Sequence, residues 1–339
     1  MTLKGDICMK KSVTLLLLLS LLACLVFVFS SCELGLPSLQ GEKGETGRGI
    51  LKTEIIDGYL WITYTDAPNT PVNVGKVVGD VVEPDGFLYR LNEDGKTVTI
   101  IGVQNCVDNN IIIPATFRGK PVVAIGDNVF EKCNFIKSVT ISDGITSIGA
   151  RAFLDCTALE SVTIPASVKR IGDSAFNGCT NLTNITMAEG LESIGFAAFH
   201  DCTSLKNITL PESLKTIEES AFYGCTALTE IKIPHYVTTI EARTFEYCTN
   251  LSNVMIPNGV TSIKGFAFSD CSALISMTLP HTITEIGNSA FLACIRLENI
   301  TFEGTKAQCK AIDFGYRWNA STPLTKITCT DGIHYTNTK

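Results

Sequence analysis

Fourteen cysteines and four histidines are the side chains of this 339-residue chain best equipped for chemistry. Thiols can pair as disulfides, hold zinc, act as nucleophiles or accept an acyl group, and spacing decides among these. Eight of them, Cys133, Cys156, Cys179, Cys202, Cys225, Cys248, Cys271 and Cys294, recur at a constant interval of 23 residues. A fixed interval places them side by side in one column. Neighbouring Cα atoms can then come within disulfide range, yet parallel Cα–Cβ vectors oppose the dihedral a disulfide needs, so buried free thiols packing as small hydrophobes are expected. Zinc is disfavoured because the column supplies neither a C-x-x-C pair nor a histidine. His200, His235, His281 and His334 read as solvated turn residues. The chain carries no G-x-S-x-G, no H-E-x-x-H and no G-x-x-x-x-G-K-[ST]. No catalytic residue, cofactor or metal site is expected.

The elements that must position these residues follow from the same period. Phe130, Phe153, Phe176, Phe199, Phe222, Phe245, Phe268 and Phe291 share it, as do an all-Ile column from Ile125 to Ile286 and an Ile/Leu column from Ile136 to Leu297. Such self-similarity marks a repeat solenoid, in which each unit buries its apolar side against its neighbours. The unit reads I-x-x-x-A-F-x-x-C-x-x-L-x-x-I-x-I-x-x-x-V. In its L-x-x-I-x-I part the last two apolar positions are two apart, so Val162 and Ile164 point inward, Ser161 and Thr163 outward, and the segment is the strand of each coil. Pro165, Pro211, Pro234, Pro257 and Pro280 end that strand. Apolar positions three and four apart in A-F-x-x-C predict a short helical turn on the opposite wall.

The unit resembles the 23-residue leucine-rich repeat of BspA-like bacterial surface proteins, whose pattern is L-x-x-I-x-L-P-x-x-V-x-x-I-G-x-x-A-F-x-x-C; the likeness covers residues 111 to 308. Departures are Glu218, Glu241 and Lys264 in the Gly column and Ser142, Ala188 and Glu303 in the Pro column. The resemblance implies a right-handed horseshoe or rod with a parallel β-sheet of short strands on one face, short helical turns or irregular structure on the other, and use in adhesion and partner binding.

Both ends read as atypical units, which is what capping an open core requires. Ile111 and Ile113 repeat the strand before the first full unit, and Leu324, Ile327 and Cys329 repeat it after the last at a spacing stretched by four residues. Ten stacked strands at about 4.8 Å would make a sheet roughly 43 Å long, enough for a protein partner. The expected division is a lipoprotein signal peptide over 1–32, with Met9 a possible start, a collagen-like Gly-rich tether over 33–50, a small β-rich N-terminal module and cap over 51–124, eight repeats over 125–308 and a C-terminal cap over 309–339. Within the module, residues 55–65 read as a hairpin turning at Asp57-Gly58.

The N-terminus is read as an export address: Lys10 and Lys11 precede an apolar run from Val13 to Phe29, followed by small residues. F-S-S-C at 29–32 resembles a bacterial lipobox with Cys32 as acyl acceptor; L-L-A-C ending at Cys24 is the alternative, and an uncleaved membrane anchor the other reading. A net charge of −7 without a basic stripe excludes nucleic acid as a partner. The outward strand columns are mostly Thr, Ser and Asn, as at Asn207, Thr209, Ser276 and Thr278, and are interrupted by Glu230, Lys232 and, beside Asn253, Met255. These eight residues form the candidate ligand face. The chain is therefore expected to be a non-enzymatic, surface-anchored adhesin or protein-binding module for an extracellular or cell-surface protein, exported and tied to the membrane by lipid. The alternative is a structural or scaffolding lipoprotein of the envelope that faces the periplasm. With Cys32 as the acylated residue, radiolabelled fatty acid enters the wild-type chain and not Cys32→Ser, because the two-chain anchor has no other attachment point; labelling that persists in Cys32→Ser moves the site to Cys24 or ends the lipoprotein reading.

Overall fold

In the computed structural model the described residues are 50–56, 59–64, 67–76 and 81–82, for which backbone alone is described, and 86–103 and 109–336 with side chains. The chain divides into two compact units, Met1–Val78 and Gly79–Lys339. The described part of the first is a three-stranded antiparallel sheet in which Ile50–Ile56 pairs with Tyr59–Tyr64, Ile56 opposite Tyr59, as the hairpin reading requires. The module expected over 51–124 thus falls on both units: Phe87–Leu91 and Val98–Val103 belong to the second, where Val98–Val103 runs parallel to Lys120–Ile125 and opens the stack.

The second unit is a parallel β-solenoid of about ten turns. Its strand face lies where the L-x-x-I-x-I segment predicts it, from Asn110–Ile113 through Ser138–Ile141, Ser161–Ile164 and Asn184–Met187 to Lys326–Cys329, with alternation that buries Val162 and Ile164 and exposes Thr163. Nine of the ten expected strands form among the described residues; the segment 207–210 does not. A second ladder, unforeseen from the repeat pattern, runs through the Ile column as two-residue strands such as Ser147–Ile148, Arg170–Ile171 and Ser193–Ile194. Ile is β-branched and follows Ser, Arg or Thr at the corner of each coil, so the pair suits an extended backbone.

The A-F-x-x-C wall is not helical. It consists of successive turns, because two residues per coil sit in the left-handed region, as Arg151 (φ 54°) and Asp155 (φ 55°) do on either side of Phe153, and a helix cannot pass through such residues. The wall still carries a backbone ladder: the N–H groups of Arg151, Phe153 and Asp155 donate to the carbonyls of Asp173, Ala175 and Asn177 at 2.8, 2.7 and 2.8 Å. Inside it the eight Phe rings form one stack, with neighbouring centroids 4.8 to 5.7 Å apart and planes within 13°. Trp318 closes the column edge-on to Phe291 at 6.1 Å. The four extra residues of this last coil are taken up by a helix, Lys306–Lys310, begun by a Thr305/Gln308 capping box, and Gly332–Tyr335 pairs antiparallel with the last strand to cover it.

Coils approach most closely at the Gly column. A β-carbon on Gly149 would stand 2.5 Å from the Gly126 carbonyl carbon, and one on Gly172 2.6 Å from that of Gly149. Lys264 in this column keeps its ladder, its N–H donating to the Ile240 carbonyl at 2.8 Å, and Glu218 and Glu241 stand in the two coils before it. Between them lies the one junction of the described stack where the second ladder is interrupted: Thr216–Ile217 pairs backward and Thr239–Ile240 forward, but not with each other. The Phe222–Phe245 spacing across it, 5.7 Å, is the widest of the column. The fold stays intact around the departures in the Gly column, and one junction beside them is open.

Phe199 is fully buried between Phe176 and Phe222, with centroids at 5.3 and 5.4 Å. Phe199→Ala removes both ring contacts and leaves a cavity on two sides, so it is expected to lower unfolding stability by about 3–5 kcal/mol. Denaturant titration checks this; a loss under about 1 kcal/mol would mean that the stacked column does not carry the core.

Candidate functional site

The strand face has a discontinuity at the place where its composition changes. Asn110–Ile113 to Asn184–Met187 form one four-stranded sheet, Glu230–Lys232 and Asn253–Met255 a separate pair, and Ser276–Leu279 onward another sheet of four. Within the pair, parallel register sets Glu230 beside Asn253 and Lys232 beside Met255. Ile231 and Val254 hold it down from the core side and are buried. The four interrupting residues form one contiguous patch, all exposed, with Met255 at 46%.

The patch is partly organised by charge. Lys232 Nζ donates to Glu212 Oε1, His235 N–H donates to Glu212 Oε2 at 3.2 Å, and the Lys232 bond first among these holds the exposed Glu212 carboxyl below its ordinary pKa. Glu230 and Met255 make no such contact in the structure. Asn207 and Thr209 are exposed on the preceding coil, in the segment that forms no strand, where Thr229 Oγ1 donates to Asn207 Oδ1 at 3.2 Å. Ser276 and Thr278 are exposed on the strand beyond the second break. The eight residues thus lie on one face of four successive coils, and the structure brings the central four together. Cys32, Cys24 and most of the tether lie outside the described residues.

On the opposite wall His200 is not a solvated turn residue. Its ring stacks on Tyr223 at 4.4 Å, Tyr223 meets Tyr247 edge-on at 5.4 Å, and His200 Nδ1 lies 3.3 Å from Asp201 Oδ2 but out of line for a hydrogen bond. His200 and Tyr223 are 23 residues apart, so the shared column was available in the sequence. Arg243 also pairs with the buried Glu246 at 3.1 Å and lies 4.9 Å above the Phe266 ring.

The thiol column has a structural explanation. Each Sγ from Cys156 to Cys294 donates to the carbonyl of the Phe one coil earlier, at 3.0 to 3.2 Å, as Cys202 does to Phe176. These seven, with Cys309 and Cys329, are free and buried. Burial pushes the Cys156 and Cys294 thiols up to about 12 and raises the other five well above the ordinary thiol value, so none is a nucleophile at neutral pH. Cys133 departs from the expectation of an all-thiol column: it is disulfide-bonded. It belongs to the first coil, so no Phe carbonyl precedes it to accept its S–H. No group of three or more metal-ligating side chains occurs among the described residues.

Stacked coils with a parallel strand face and an apolar Ile/Leu/Phe interior define a leucine-rich-repeat solenoid. The chain belongs to the BspA-type leucine-rich-repeat family: the BspA type Leucine rich repeat region matches residues 104–228 and 192–317, in six copies. Among solved structures it is similar to a leucine-rich-repeat protein of Bacteroides ovatus (29% identity, 75% of this chain and 72% of that one, TM-score 0.55). It is also similar to the Leucine Rich Repeat protein of T. pallidum (28% identity, 57% of this chain and 89% of that one, TM-score 0.55). No curated protein matches the chain.

The raised thiol pKa values set a pH dependence. A thiol whose folded pKa lies above its unfolded value near 9 keeps its proton better in the folded state, so stability is full below pH 9 and falls as pH rises toward about 12. The expected outcome is a midpoint of unfolding that drops steadily over that window in wild type and less in Cys202→Ser, whose hydroxyl can donate to the Phe176 carbonyl without titrating. Thiol reagent at neutral pH should leave the seven column thiols unlabelled until the chain unfolds; labelling of the native chain at these positions would contradict their burial.

Proposed function

We propose that the chain is a non-enzymatic protein-binding module displayed on the bacterial cell envelope, with Glu230, Lys232, Asn253 and Met255 at the centre of its contact surface. The observation that carries this reading is the coincidence of composition and geometry: the one stretch of strand face with charge and an adaptable apolar side chain is also a separate two-stranded sheet, with a break on either side. A uniform Thr/Asn ladder offers a partner the same surface at every coil, whereas a patch with Met at its edge and an acidic and a basic residue beside it offers one register. Family membership is compatible with partner binding, and the apolar run before Cys32 with export. Lipid attachment through Cys32 and exposure at the outer surface complete the proposal, with an extracellular or cell-surface protein as partner.

The test replaces Glu230 and Asn253 with Ser and Lys232 and Met255 with Thr, the background residues of those columns. These side chains have no core role, so circular dichroism and melting temperature should stay within error while capture of a partner from extracellular-matrix or cell-surface proteins falls about tenfold or more. A control triple, Lys132→Asn, Asp201→Asn and Tyr247→Asn, alters the opposite wall at left-handed positions that Asn tolerates. Capture lost in the control and kept in the strand-face variant would move the contact surface to that wall. Loss of the protein from intact cells on protease treatment separates a surface adhesin from a periplasm-facing scaffold, which would survive.

A further inference from the structure

The interrupted junction between Ile217 and Ile240 forms a cleft. At the junctions on either side the second ladder is closed by paired bonds, Lys215 N–H to the Glu192 carbonyl and Glu218 N–H to that of Ile194 before it, Thr261 N–H to Thr238 and Lys264 N–H to Ile240 after it, at 2.8 to 3.0 Å. No such bond joins Thr238 N–H to the Lys215 carbonyl or Glu241 N–H to that of Ile217. On the strand face the same two coils keep only Thr229 N–H to the Lys206 carbonyl, at 3.1 Å. The wall remains closed, with Ser220, Phe222 and Gly224 donating to Ala242, Thr244 and Glu246 at 3.0, 3.0 and 2.8 Å. The two coils therefore stay joined along the wall and part along the ladder corner.

The opening is a groove of about 440 Å³ that exposes two unfilled ladder donors and two unfilled acceptors. Its lining includes Phe196, 47% exposed, and three carboxylates, Glu218, Glu219 and Glu241. Glu218 is partly neutralised by Arg170 at 3.5 Å, and the Lys215 ammonium is taken by Glu192 at 2.7 Å. Glu219 and Glu241 enter no ion pair among the described residues. The groove thus offers strand-edge hydrogen bonds, an aromatic side chain and uncompensated negative charge, which together suit an extended cationic segment better than any uncharged or acidic one.

We propose that this cleft receives an extended, lysine- or arginine-bearing segment of a protein partner, its backbone bonded to the open ladder groups of Thr238 and Glu241 and its cations set against Glu219 and Glu241. This rests on the protein-binding reading above but uses a different surface, at the corner beside the strand-face patch.

The probe is a capped synthetic peptide of alternating lysine and threonine, with the glutamate–threonine counterpart as sign control, titrated into the full chain at an ionic strength of about 0.15 M. Binding of the cationic peptide alone is expected, with slowed hydrogen exchange at the Thr238 and Glu241 amides, which in the free protein should exchange faster than those of Thr261 and Lys264. Glu219→Gln with Glu241→Gln keeps the cleft open and should weaken binding by about tenfold. Glu218→Gly with Glu241→Gly restores the column's usual residue and removes two of the three carboxylates, so it should fold and lose the peptide. The proposal is overturned if wild type does not bind the cationic peptide, if binding leaves the Thr238 and Glu241 amides unprotected, or if the double-glycine variant closes those amides and still binds. Any of these outcomes leaves the strand-face reading untouched, since that is decided by the four-residue replacement with the cleft intact.

Discussion

A coil of 23 residues has no interior of its own, and its Phe, Leu and Ile side chains leave water only when another coil of the same cross-section lies within van der Waals reach on each side. Three contacts in this stack satisfy that one distance requirement. The Phe rings lie face to face at 4.8 to 5.7 Å, each of the seven free column thiols reaches the preceding Phe carbonyl at 3.0 to 3.2 Å, and backbone approaches backbone most closely at the Gly corner. Each contact fails if the neighbour moves by an ångström. Because the contacts are to nearest neighbours only, a failure stays local, and coils further along keep their ladders.

Periodicity made most of this legible. Residues 23 apart occupy one column, so the core, the strand segment, the inward and outward alternation and both capping coils followed from the sequence. The same argument says nothing about whether two coils remain at ladder distance. The second ladder parts between Glu218 and Glu241 yet closes between Glu241 and Lys264, so the departures in the Gly column do not by themselves say which junction opens. The wall was misread as helical because three- and four-residue spacing is shared by helices and by successive tight turns; only the backbone angles at residues such as Arg151 and Asp155 separate the two. Cys133 escaped the column rule for a related reason. Column membership implies a repeat with its own Phe on the preceding side, and the segment before the first coil has none at the matching position.

Of the candidate face, composition identified Glu230, Lys232 and Met255 as interruptions, but their adjacency to a structural break came from contacts that no pattern encodes. The segment 207–210 pairs with neither neighbour, and Ile185 and Met187, facing it, are only partly buried.

An array of identical coils has a difficulty of its own as a binding surface, because a ligand that fits one register fits the next, displaced by a single step. Specificity then requires a place where translation symmetry fails. Losing a ladder at every face would separate the coils, whereas losing it at two faces while the turn wall keeps its three bonds and its Phe stack leaves the two coils joined. The non-repeating residues of this chain are concentrated where that condition holds. Charge, an exposed Met and an exposed Phe therefore stand on a site that is distinguishable from every other coil and still anchored to the continuous core.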